Sequence, residues 1–150
     1  MKLDLNTLLN EWEKDSHIDE LALDEETRKG AKLHAKYLRY LSEYKLKLKH
    51  QDNKRDVLKK NLWLYYSGKM TKPQMDHLKW PYDPYEGGTK PMKSDMGRYM
   101  DADDNYIELM SKIEYTKTML DALEEIMNTL RWRHAGIKNM IDWRRFVSGG

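Results

Sequence analysis

Leu5, Leu8, Leu9 and Trp12 stand three, four and seven positions apart, the spacing that puts apolar side chains on one face of a helix. It predicts a short amphipathic helix over about 3–15. A longer stripe follows through Leu33, Tyr37, Tyr40, Tyr44, Leu48, Leu58, Leu62 and Tyr65, broken in the middle by Gln51 and Arg55. Its steps of three and four predict a helix over about 24–66. Asp24 suits its cap, Glu25 and Glu26 its positive first turn, and Ser67-Gly68 its stop. A third stripe, from Tyr106, Met110 and Ile113 through Leu120, Leu123, Met127, Leu130 and His134 to Ile137 and Ile141, predicts a second long helix over about 101–145. Between the two, residues 67–100 hold all four prolines and four of the eight glycines. Trp80-Pro81-Tyr82-Asp83-Pro84-Tyr85 is too aromatic for a plain linker. It reads either as a plug over the end of a helical hairpin or as a segment that docks a partner.

Folding the chain about this connection pairs positions whose numbers sum to about 167 in an antiparallel hairpin. Gln51 and Arg55 then meet Lys117 and Glu114 in a polar layer that fixes register. Gly30, Ala31 and Ala35 meet Ala135 and Gly136, where small side chains permit close approach. Each long helix would span about 65 Å, more than the width of a globule of this length. Two such helices bury only their facing stripes and leave Trp63, Leu64, Met119 and Ile126 poorly covered, so self-association is the natural remedy. The expected fold is therefore all-α: one domain over 1–150, an elongated antiparallel helical hairpin with a short N-terminal helix, in a homo-oligomer.

Composition narrows this further. Two Val and seven Thr in 150 residues leave β-rich folds without their usual material. The absence of Cys excludes a disulfide framework, thiolate metal sites and cysteine nucleophiles. The longest apolar run, Leu62–Tyr66, is far short of a membrane span, and no signal-peptide stretch opens the chain. A soluble intracellular protein is expected.

A net charge of +2 conceals opposed blocks. Residues 1–27 carry 2 basic and 9 acidic side chains, 28–60 carry 12 and 3, 101–130 carry 2 and 8, and 131–150 carry 5 and 1. Catalytic chemistry finds little support. The five His form no i, i+4 pair and no glycine-rich phosphate loop is present, so neither a metal nor a nucleotide cofactor is expected. Asp101, Asp103 and Asp104 read as capping groups at a helix start, and Glu124-Glu125 as solvated face. The basic second helix is the stronger signal. Lys32, Lys36 and Arg39 share a face, and Lys45, Lys47, Lys49, Lys54, Lys59 and Lys60 continue the arc opposite the stripe, with Arg55 beside them. Such a face neutralises phosphates, while Tyr65, Tyr66 and Trp63 at the helix end suit stacking on unpaired bases. The competing reading is a helical adaptor or scaffold whose basic face pairs with the acidic blocks of its own or neighbouring subunits. Arg131 and Trp132, the stripe positions Ile137 and Ile141, and Trp143 and Phe146 combine bulky apolar groups with arginine, the composition of a protein interface. They are the expected oligomer contact.

Three stretches carry a resemblance. His34-Ala35-Lys36-Tyr37-Leu38 is one, and Leu58-Lys59-Lys60-Asn61-Leu62 with Tyr65-Tyr66-Ser67-Gly68 is another. Ala135-Gly136-Ile137-Lys138 through Asp142-Trp143-Arg144-Arg145-Phe146 is the third. Together they resemble the UvsY family, the recombination mediators of T-even-type bacteriophages. The resemblance implies single-stranded DNA binding, ring-like homo-oligomers, and loading of a UvsX-type recombinase onto DNA covered by single-strand-binding protein. It also implies the cytoplasm of an infected bacterial host, with no membrane association. The family's Leu-Lys-x-Arg-Leu element, tied to DNA binding, puts its lysine at Lys59. Asn61 stands where the family has arginine, with Lys60 and Arg55 as nearby cations. The family's C-terminal region is associated with oligomerisation, in agreement with the reading of residues 131–147.

Overall fold

The structure, a computed structural model, describes residues 3–149. It is all-α: α1 (Leu5–Asp15), α2 (Leu23–Tyr66), α3 (Lys72–Leu78), a 3-10 turn at Lys93–Asp95, α4 (Met96–Asp101) and α5 (Asp104–Val147), with no strand among the described residues.

The ends of these helices follow from local chemistry. The Asp4 carboxylate accepts the Thr7 amide hydrogen at 2.7 Å and caps α1, satisfying one of the orphan donors of a helix start. Asp24 is not the cap of α2. The helix begins at Leu23, and Asp24 lies inside its first turn, facing Arg28 at 3.4 Å. At the other end Gly68 takes φ +77°, and the Lys69 amide reaches the Leu64 carbonyl at 2.8 Å, the left-handed stop that glycine allows. The connection contains α3, which the apolar stripes do not announce. Thr71 and Gln74 form a reciprocal capping box around Pro73 in the first turn, a local signal written in four residues. The second long helix starts at Asp104 because Met96–Asp101 is a helix of its own and Asp103 turns the chain between them. Its carboxylate accepts from the amides of Asn105 at 2.9 Å and Tyr106 at 3.4 Å.

The chain packs as two compact units, one within residues 1–47 and 116–150 and the other Leu48–Tyr115. In the first, the start of α2 lies against the later part of α5, and α1 packs as a third helix. Leu8, Tyr37, Met119, Leu123 and Ile137 are fully or almost fully buried. A two-helix hairpin leaves Met119 and Ile126 poorly covered; in this three-helix unit both are buried. Gly30 and Ala31 do not bring backbones into contact. They line a cavity of about 350 Å³ with His34, Leu130, Arg131 and His134, and a Cβ on Gly30 would stand 3.7 Å from the Arg133 guanidinium. Arg133 is buried there, its Nη2 2.6 Å from the buried Glu26 carboxylate and its Nη1 donating to the Glu26 carbonyl. Small residues on α2 thus make room for a buried ion pair.

In the second unit Leu62, Tyr65, Tyr66, Met70, Met75 and Met96 form the core, with Leu58, Leu78, Trp80 and Tyr85 packed on it. The aromatic segment closes over the end of α2. The Tyr65 hydroxyl donates to the Pro81 carbonyl at 2.7 Å, the Tyr66 hydroxyl to Asp103 at 2.8 Å, and the Tyr85 hydroxyl to the Tyr66 carbonyl. Burial, then the Asp103 carboxylate, pushes the Tyr66 hydroxyl well above its ordinary pKa. Asp103 therefore serves both as start of α5 and as anchor for the end of α2.

Candidate nucleic-acid interface

The sequence supplies two acidic neighbourhoods for the basic helix, and the structure uses one of them locally. In the first unit, Lys36 sits 2.6 Å from Asp15 and 3.2 Å from Glu11 of α1. Tyr37 and Tyr40 donate hydroxyl hydrogens to the same two carboxylates at 2.8 and 3.1 Å, and Trp12 meets Tyr37 edge-on at 5.4 Å. Burial works to raise the Asp15 pKa, but the hydrogen bonds from Lys36 and Tyr37 outweigh it and hold the carboxyl below its usual value. Burial likewise opposes the charge on Lys36, and the bonds to Asp15 and Glu11 prevail to raise its pKa. Lys36 is thus neutralised within its own chain.

Lys29 likewise pairs with Glu26 at 2.9 Å, but six lysines further along the helix have no such partner among the described residues. Lys45 and Lys47 are exposed on the first unit's part of α2, and Lys49, Lys54, Lys59 and Lys60 are exposed on the second unit's part. None of the six has an ion-pair partner among the described residues. Lys47 rests its ammonium 5.2 Å from the centre of the Tyr44 ring, which leaves its charge available. Arg55 differs: half-buried, it spans Asp52 at 3.2 Å and Asp56 at 3.5 Å on its own helix. The partners of its guanidinium are thus one turn and one residue away rather than on α5. Gln51 beside it is buried.

Tyr65 and Tyr66 do not offer faces to bases. Both are buried, Tyr65 edge-on to Trp80 at 4.9 Å and to Tyr66 at 5.2 Å. Their periodicity places them on the helix's apolar side, and that side is where the connection packs. Trp63 is exposed at 45 % with the Lys69 ammonium 4.5 Å over its ring. What the stripes could not show is Trp80: it lines, with Val57, Leu58 and Leu78, an apolar groove of about 300 Å³ rimmed by His50, Asn53, Lys54 and Asn61.

The expected assembly residues divide as well. Ile137 is buried in the core of its own unit, and Ile141 is half-buried. Arg131, Trp132, Trp143 and Phe146 are exposed, and the Trp143 and Phe146 rings stack at 5.7 Å. No group of carboxylates and histidines suited to a metal ion occurs among the described residues, and no helix there is long and apolar enough to cross a membrane.

Along α2, Lys45, Lys47, Lys49, Lys54, Lys59 and Lys60 thus stand exposed with no ion-pair partner among the described residues. Residues 11–150 match the family model described as "Recombination, repair and ssDNA binding protein UvsY". The chain belongs to the UvsY family. The recombination protein uvsY of Enterobacteria phage T4 is 27 % identical over 145 residues, covering 97 % of this chain and 98 % of that protein. The fold agrees. One crystal structure of the bacteriophage T4 recombination mediator protein UvsY (lattice type II) superposes with a TM-score of 0.82 at 24 % identity, over 98 % of this chain and 99 % of that one. A second (lattice type IV) gives 0.79 at 22 % identity, over 96 % and 98 %. The UvsY family is thus one of recombination, repair and single-stranded DNA binding, and all six unpaired lysines fall within the matched residues.

Proposed function

We propose that this UvsY-family chain binds single-stranded DNA through the lysines of α2 and acts as a recombination mediator. Its partners are a UvsX-type recombinase and single-strand-binding protein, in the host cytoplasm, and the reading involves no cofactor and no covalent step. The observation that carries it is the contrast along one helix: Lys36 is neutralised by α1, while Lys45, Lys47, Lys49, Lys54, Lys59 and Lys60 stand exposed without carboxylate partners among the described residues. Charge matching within the chain accounts for Lys36 and leaves the six, which the adaptor reading would pair with acidic segments of neighbouring subunits. Exposed Trp132, Trp143 and Phe146 with Arg131 support a homo-oligomer, ring-like by family resemblance. Several weak basic patches on one assembly then hold one strand through effective concentration, which suits handing a strand from one protein to another.

Fluorescence anisotropy with a single-stranded oligonucleotide across a salt series tests this. Lys59→Ala with Lys60→Ala removes two exposed charges from a helix that alanine favours. Affinity should fall, and the salt slope should flatten by about 1.4, at roughly 0.7 per single-strand contact. Wild-type affinity and slope in the double variant, or no binding by the wild type at physiological salt, would return the adaptor reading to first place.

A further inference from the structure

The groove beside Lys54 has chemistry that the lysines alone do not explain. On α2, Val57 is 59 % exposed at its floor. Lys54 and Lys60 lie three residues before and after Val57, and Asn53 and Asn61 four before and after, so all four are its neighbours on the helix surface. Leu58 and Leu78 complete the apolar floor and Trp80 forms the facing wall. Trp80 is held there from behind, edge-on to the buried Tyr65 at 4.9 Å. An apolar and aromatic slot with two amides and the unpaired Lys54 at its edge, and Lys60 nearby on the helix, answers each part of one nucleotide. The base meets Trp80 and Val57, the amides meet its polar edge, and the ammonium groups meet its phosphates.

The geometry points to this groove as a base-binding subsite for an unpaired nucleotide of single-stranded DNA. The inference deepens the function proposed above and rests on it. It assigns to Trp80 the stacking role that the buried Tyr65 and Tyr66 do not fill. The exposed C-terminal aromatics of a second copy are a poorer occupant. Trp143 and Phe146 travel with Arg144 and Arg145, and a slot edged by Lys54, with Lys60 one turn from Val57, repels that segment while it attracts a phosphodiester. Asn61 sits on the rim as a hydrogen-bonding amide, which suits contact with a base edge.

The test compares an oligothymidylate with an abasic oligonucleotide of the same length, in the same salt, by anisotropy with the full-length protein. Both present the same phosphates, and only one presents bases. The wild type should prefer the thymidylate by about tenfold for each base engaged. Val57→Gln fills the slot from an exposed position and should leave the fold intact. Trp80→Leu keeps an apolar group against Tyr65 and removes the ring. Each should lower the thymidylate preference several-fold while abasic affinity and salt slope stay unchanged. Because Val57 is exposed, its variant decides the matter even if Trp80→Leu loosens the connection. Equal wild-type binding to both oligonucleotides overturns the subsite and leaves the phosphate-binding function standing. So does retention of the full preference by Val57→Gln. Failure of the wild type to bind either strand overturns the function itself.

Discussion

Glu26→Ala should be among the most damaging single changes in the chain, because it isolates a charge inside the first unit. The Arg133 side chain is 7 % exposed and that of Glu26 3 %. Arg133 bonds the Glu26 carboxylate at 2.6 Å, and its other amino group donates to the Glu26 carbonyl. Removing the carboxylate leaves the guanidinium buried with one neutral partner, at a cost of about 3–5 kcal/mol. The second partner of Glu26, Lys29 at 2.9 Å, has a side chain 58 % exposed, so losing that contact adds little. Hydrogen bonding by Lys29 heads the influences that hold the Glu26 carboxyl below its ordinary pKa. With a urea dependence of about 2 kcal/mol per molar, the midpoint falls by about 1.5–2.5 M. Glu26→Leu combined with Arg133→Met replaces the pair by apolar groups and should recover most or all of the loss. Circular dichroism during urea titration, at one fixed protein concentration so that assembly contributes equally, reads both numbers. A loss below about 1 kcal/mol for Glu26→Ala, or a double variant as unstable as the single, would refute the buried-charge reasoning. The double variant should keep its affinity for single-stranded DNA, since Arg133 is spent within the fold.

Replacing Trp143 and Phe146 by Ala should shrink the oligomer in light scattering, with DNA affinity falling only through lost multivalency; a wild type that already scatters as an 18.0 kDa particle refutes the assembly surface. Asp15 and Glu26 have pKa values held below the ordinary carboxylate range, so the stability they supply is complete above about pH 4–5 and is lost as pH falls through their lowered folded values. An acid titration by circular dichroism that shows no loss between pH 5 and about 2 contradicts this. Gly68→Ala meets no closer neighbour than the Lys90 ammonium at 3.9 Å, but forces alanine to φ +77°; thermal unfolding should show a loss of about 1–2 kcal/mol.

The two long helices were legible because their apolar stripes are long and regular, and the unpaired lysines because twelve basic against three acidic side chains over 28–60 leave few local partners. Tyr65 and Tyr66 show where periodicity misleads about role. A tyrosine on an apolar stripe reads equally as core or as stacking platform, and only the folded connection, with Pro81 and Asp103 as hydroxyl partners, decides for core. Arg133 was hidden for a related reason: its neighbours Arg131 and Trp132 are exposed, and one residue's turn of the helix separates a surface patch from a buried pair. Helix α3 was legible in Thr71-x-x-Gln74 but too short to leave a stripe. Trp80 could not be placed from sequence, since its wall of the groove exists only once the connection folds back on α2.

Lys49 to Lys60 lie on an unbroken stretch of α2 within one unit, about 17 Å along the axis at 1.5 Å per residue. A helix does not stretch, so this distance is a ruler. A strand advancing about 3.4 Å per nucleotide lays about five phosphates along it, and a more extended strand fewer. On the function proposed above, the length of DNA shielded from nuclease by an assembly should be quantised: it should grow by the same few nucleotides for each subunit that engages, and the protected length divided by that increment should count the subunits in contact with the strand.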